Sequence, residues 1–212
     1  MTFDSVYEMT NPLTTVRKQH FWDWFSGDSP NSRWTLEQLI GGDSTFTASD
    51  SVDGGMNFAN TSTNNRVANI HFNNKRQYAY DGSTFIWVVK RNSATSLGIL
   101  LDIGLNGTNG QSSTNSIVFR QYDAGSSFVG ALSKSATAES TTATDVATNS
   151  NMQVLKCAID STNAIYSING VTKVTKTTNL PVAKMQPKIR MDNVTETGVR
   201  DVNMTYLEVY NT

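Results

Sequence analysis

Apolar and polar residues alternate with a period of two through most of the chain. That is the mark of strands with one face buried. In residues 85–91 (FIWVVKR), Phe85, Trp87 and Val89 fall on one face and Ile86, Val88 and Lys90 on the other. Residues 117–122 alternate in the same way, and 97–103 (LGILLDI) form an apolar run of strand length. Further strands are predicted at 128–132, 154–160, 164–168, 172–176, 188–191 and 202–210. Asp81-Gly82, Asn106-Gly107, Asn109-Gly110 and Asn169-Gly170 punctuate them. Asn169-Gly170 fits a two-residue type I′ turn, in which both central residues need positive φ. It would join 164–168 to 172–176 as a hairpin. Residues 136–151 (ATAESTTATDVATNSN) bury little and read as a loop or a polar edge strand. Residues 35–40 (TLEQLI), closed by Gly41-Gly42, read as one helical turn. In 21–25 (FWDWF), Phe21, Asp23 and Phe25 share one side and Trp22 and Trp24 the other. Residues 1–19 have weak periodicity and read as an N-terminal arm before a single sandwich domain expected at 20–212. About a dozen short strands with such turns predict an all-β sandwich.

Composition narrows the function. The chain has 212 residues, 17 Lys+Arg against 18 Asp+Glu, and 17% charged residues. Ser, Thr and Asn make up about a third of it, more than in an average globular protein. There is no basic excess to attract phosphates, so no nucleic-acid partner is expected. No apolar run is long enough to span a membrane. One cysteine, Cys157, excludes an internal disulfide framework, and two histidines argue against a His-based metal site. The first residues lack the basic-then-apolar pattern of a signal peptide, so synthesis in a host cytoplasm is expected.

Residues 151–175 (NMQVLKCAIDSTNAIYSINGVTKVT) resemble the central hairpin of concanavalin A-like, laminin-G-type jelly rolls. Asp160 stands in the first turn, and Tyr166, Asn169 and Gly170 carry the aromatic-x-x-Asn-Gly turn. Residues 81–93 and 204–212 are similar to an aromatic inner strand and to the closing strand of that family, and the similarity runs from about residue 21 to the end. The resemblance implies a concanavalin A-like jelly-roll β-sandwich of two antiparallel sheets. It does not fix function, because that fold serves lectins, glycanases, lyases and virion proteins.

Glycanases of this fold place two carboxylates on one strand, facing one side, in a spacing such as Glu-x-Asp-x-Glu. No such run exists here, so no catalytic residue is assigned. A lyase would need a His with a Tyr and an Arg; His71 in NIHFNN is similar to the His-bearing strand of some alginate lyases. Asp50 and Asp53 in DSVDGG offer oxygen ligands for calcium, the one cofactor considered. Trp34, His71, Tyr78, Tyr80 and Tyr122 are candidates for carbohydrate stacking and hydrogen bonding. Phe3, Tyr7, Leu13, Arg17, Trp22 and Trp24 are candidates for assembly contacts.

The expectation is a non-catalytic virion structural protein: a capsid decoration, fibre or spike module. It would bind a capsid or tail protein, form a homo-oligomer (a trimer by preference) and contribute to host attachment through a glycan. The alternatives are a free-standing lectin-like module and a polysaccharide-degrading enzyme, either lyase or glycanase.

Overall fold

The computed structural model describes residues 20–49, 54–60, 66–76, 78, 81–91, 99–109, 114–122, 128–136, 138–147, 150–193 and 200–211. Within them the chain forms strands and no helix. In order they are β1 (His20–Asp23), β2 (Thr35–Ile40), β3 (Thr45–Ala48), β4 (Met56–Asn60) and β5 (Arg66–His71). Then come β6 (Ser83–Arg91), β7 (Ile99–Asn106), β8 (Asn115–Tyr122), β9 (Phe128–Ser135) and β10 (Ala138–Ala147). The last are β11 (Gln153–Ile159), β12 (Ala164–Ile168), β13 (Val171–Lys176), β14 (Gln186–Asn193) and β15 (Arg200–Asn211).

They pair into two antiparallel sheets. An eight-stranded sheet runs β13-β12-β11-β6-β15-β4-β3, with β1 also on β15. A seven-stranded sheet runs β10-β9-β8-β7-β14-β5-β2. The predicted hairpin is present: Ile168 pairs with Val171, and Asn169 and Gly170 take φ of 51° and 80°. Residues 136–151 provide the edge strand β10. Its polar character gives a further strand little to pack against.

Residues 35–40 are corrected from a helical turn to β2. Cross-strand pairing decides it: Thr35 lies opposite His71, Leu36 opposite Ile70 and Glu37 opposite Asn69. Leu36 thereby packs on the core while Glu37 faces away from it. Tertiary pairing overrides the local helix preference of Leu, Glu and Gln.

The core lies between the sheets and is aromatic at one end. Trp34 stands 5.8 Å from Trp87 and 4.6 Å from Phe72, and Phe25 stacks on Trp87 at 6.2 Å. Asp23 fastens this end. One carboxylate oxygen accepts from the Phe25 backbone N–H at 2.8 Å and the other from Trp34 Nε1 at 2.9 Å. Burial pushes the Asp23 carboxyl up, and those two donors work against the rise. At the other end Tyr166, fully buried on β12, donates its hydroxyl to the Leu132 carbonyl of β9 and ties one sheet to the other.

Removing that hydroxyl should cost stability without changing the fold. Tyr166→Phe leaves a buried carbonyl short of its donor, so about 1–2 kcal/mol is expected. Urea unfolding reads it as a lower midpoint at unchanged slope; an unmoved midpoint would contradict the tie.

Candidate functional site

In the seven-stranded sheet Leu101, Ile103 and Leu105 of β7, Ile117 and Phe119 of β8, and Ile189 and Met191 of β14 enter the core. The alternate residues must face away from it. Those positions carry ionisable side chains strand after strand: Glu37, His71, Lys188, Arg190, Asp192, Asp102, Arg120, Lys134 and Glu139. Register sets them side by side. Lys188 lies opposite His71, Asp102 opposite both Arg190 and Arg120, and Lys134 opposite Glu139.

The face has a closed half and an open half. In the closed half the turn after β7 folds over the sheet. The Asn109 carbonyl accepts from Lys188 Nζ at 2.7 Å and from Asn69 Nδ2 at 2.6 Å. Its side-chain oxygen accepts from the Asn74 backbone N–H and from Gln186 Nε2, both at 2.9 Å. His71 is 1% exposed beneath this cover. Its Nδ1 accepts from the Asn73 backbone N–H at 2.9 Å, so the neutral ring carries its proton on Nε2, 3.0 Å from Glu37 Oε2. Burial pulls the His71 pKa down, against the upward pull of Glu37. Lys188, 2% exposed, is pulled down to about 8 by burial and by Arg190, against Asp102 and Glu37.

The open half centres on Arg120. Its Nε and Nη2 grip the two oxygens of Asp102 at 2.7 and 2.8 Å, and its Nη1 holds Glu139 at 2.7 Å. Lys134 Nζ stands 3.6 Å from the other Glu139 oxygen. Arg190 holds Asp192 at 2.7 Å. Burial works against the Arg120 charge, but the Asp102 and Glu139 carboxylates outweigh it and raise its pKa. Glu139 is 37% exposed at its side chain and Asp102 only 9%.

Two carboxylates therefore flank one guanidinium, from different strands. Hydrogen bonds of 2.7 Å at each end and the width of one guanidinium keep their oxygens within roughly 8 Å. A glycosidic bond is cleaved between carboxyls at about this range. No single strand carries the pair: β7 presents Leu100, Asp102, Gly104 and Asn106 and supplies one carboxylate. The signal was there in another form: Asp102 interrupts an apolar run, and Arg120 occupies an outward position of an alternating strand.

The other expected site residues lie elsewhere. Trp34 and Tyr78 are 7% and 1% exposed inside the sandwich, so a stacking role for them is corrected: no sugar reaches their ring faces. His71 is on the sheet but both ring nitrogens are engaged. Trp22 and Trp24 belong to the opposite sheet's side. Tyr80, the Tyr122 side chain, Asp50, Asp53, Phe3, Tyr7, Leu13, Arg17 and the rest of the 1–19 arm lie outside the described residues. Among the described residues no group of three or more His, Cys, Asp or Glu could hold a metal ion, and no helix is long and apolar enough to cross a membrane.

No protein-family model and no curated protein matches the sequence. Solved structures do match the fold. A beta-1,3-glucanase from Mycobacterium marinum superposes with a TM-score of 0.63 at 16% identity, over 89% of this chain and 97% of that one. Apo Crh5 transglycosylase gives 0.65 at 12%, over 91% and 84%. A structure from work on endo-acting O-glycanases of the human gut microbiota gives 0.67 at 9%, over 91% and 98%. The fold is thus a concanavalin A-like jelly-roll sandwich. These likenesses overturn the expectation of a non-catalytic virion structural protein. That expectation rested on analogy and on a missing same-strand pair, whereas the matching structures named here are glycan-active enzymes. The viral, capsid and decoration assignments fall with it.

The buried lysine gives the site a pH signature. Unfolded, Lys188 titrates near the usual lysine value; folded, it titrates near 8. Between the two the unfolded chain binds the extra proton, so stability contributed at this position rises with pH. The stability of wild type relative to Lys188→Met should increase by about 1–3 kcal/mol from pH 7 to pH 10. A pH-independent difference in denaturant titrations would contradict a depressed Lys188.

Proposed function

We propose that the protein is a polysaccharide-active enzyme that cleaves glycosidic bonds on the open half of the seven-stranded sheet. One observation carries this reading: Asp102 and Glu139, flanking Arg120, form a carboxylate pair within glycosidase range on the outer face of a glucanase-type jelly roll. Glu139 sits on the edge strand with a single short bond to Arg120, and an incoming sugar can displace that bond. Released from that bond, its carboxylate takes up a proton from solvent and, as the acid, passes it to the glycosidic oxygen. Asp102, gripped at both oxygens, stays fixed near the positive charge that develops at the anomeric carbon, as nucleophile or as the base for water. Arg120, Arg190 and Lys134 present donors around the pair for sugar hydroxyls. Elimination chemistry fits less well, since His71 has neither a free nitrogen nor exposure.

The test is reducing-end release from soluble β-1,3-glucan, mixed-linkage β-glucan, xylan and mucin. Wild type should release product from at least one. Glu139→Gln should lower that rate by roughly 100-fold or more, with an unchanged thermal midpoint. Asp102→Asn should do likewise, at some cost in stability from the weakened Arg120 pair. No release from any substrate, or both variants at wild-type rate, would overturn the reading.

A further inference from the structure

The eight-stranded sheet also has an outer face, on the opposite side of the sandwich from the carboxylate pair. Phe21 of β1, Phe85 and Trp87 of β6, and Leu207 and Val209 of β15 enter the core. The alternate residues His20 and Trp22, Ile86 and Val88, and Tyr206, Glu208 and Tyr210 therefore face outward. Register brings them together: His20 lies opposite Tyr210, Trp22 opposite Glu208, and Tyr206 opposite Val88. Trp24, just past β1, is 61% exposed, the most exposed aromatic among the described core-forming and surface hydrophobics. It leans on Tyr206 with ring centroids 4.6 Å apart at 47°.

This patch is already ordered by its own polar groups. Glu208 accepts from His20 Nε2 at 2.9 Å and binds the Tyr206 hydroxyl. The His20 ring meets Tyr210 edge-on at 5.9 Å. Burial, then the Glu208 charge and hydrogen bond, push the Tyr206 phenol up to about 12, so it remains a donor at any physiological pH.

We propose that the Trp24–Tyr206 platform with Glu208 and His20 is a second glycan-binding surface, separate from the cleavage site. A pyranose has one face of C–H groups and a rim of hydroxyls. The ring face lies on an aromatic side chain, where the negative π-face meets the C–H hydrogens. The hydroxyls need fixed donors and acceptors nearby, and Glu208, His20 and the two tyrosines supply them. A protein partner is the poorer match, because the cores of protein interfaces are depleted in charged residues and here a carboxylate and an imidazole sit at the centre. With the sheets back to back, a polymer held on this surface leaves the open half of the other sheet free.

Affinity electrophoresis of the full chain tests it, in native gels cast with soluble β-1,3-glucan, mixed-linkage β-glucan or mucin. Glu139→Gln is the parent, so that the polymer is not digested. It should be retarded in at least one gel. Adding Trp24→Ala should weaken that retardation roughly three- to tenfold, and Trp24→Phe, which keeps a ring, should recover most of it. Trp24→Ala alone, in the otherwise wild-type chain, should leave cleavage of short oligosaccharides unchanged. This separates the platform from the cleavage site: failure of the carboxylate reading leaves retardation intact, and failure of the platform leaves cleavage intact. Retardation in no gel, or retardation unchanged by Trp24→Ala, would overturn the proposal. So would a dimer seen by light scattering that Trp24→Ala dissolves without any glycan dependence, which would give the face to a second copy of the chain.

Discussion

Two stacked sheets allow each strand one decision, namely which of its alternating side chains meet the other sheet. Everything functional in this protein follows from the side chains that the core does not take. On β7, β8 and β14 the inward set is Leu, Ile, Phe and Met, which forces Asp102, Arg120, Lys188 and Arg190 onto the outer face. Those strands are central in their sheet, so neighbours crowd the outward charges, burying Asp102 and Lys188 and half burying Arg120 and Arg190. Charges in such a setting must be paired. Arg120 meets that demand by gripping one carboxylate and reaching a second. Chemistry can arise here because the pairing brings two acids to one place without closing the more exposed of them off.

The same rule explains what could be read from residues alone. Strand period and the Asn169-Gly170 turn made the sandwich and its hairpin legible, because both depend on neighbours in sequence. The two sides of the aromatic segment 21–25 were legible too, but not which of them the core takes: Phe21 and Phe25 go in and Trp24 stays out. Residues 35–40 were not, since Leu, Glu and Gln favour a helix and only pairing with β5 makes them a strand. Trp34 and Tyr78 fell on the wrong side of the balance between an aromatic's two uses, stacking and core filling. Their burial follows from contacts with Phe72, Trp87 and Met185, which are distant in sequence or unmarked by any local pattern.

The carboxylate pair was hidden for a related reason. Asp102 and Glu139 are 37 positions apart and meet only because β8 and β9 lie between β7 and β10 in the sheet. A same-strand motif is visible as a string; a pair assembled across strands is visible only as register. The closed half of the face shows the opposite outcome for similar residues. There the Asn109 turn supplies the partners that Lys188, Asn69 and Gln186 need, and the polar groups are spent on holding the chain.

At the proposed cleavage site a glycan lies across β7 to β10, over Arg120. Amide hydrogen exchange of the full chain, with and without soluble β-glucan, xylan or mucin, tests that placement most directly. Slowed exchange in β8, β9 and β10, reduced in Glu139→Ala, is the predicted result. Unchanged exchange throughout the seven-stranded sheet, with every tested glycan at saturating concentration, would contradict it.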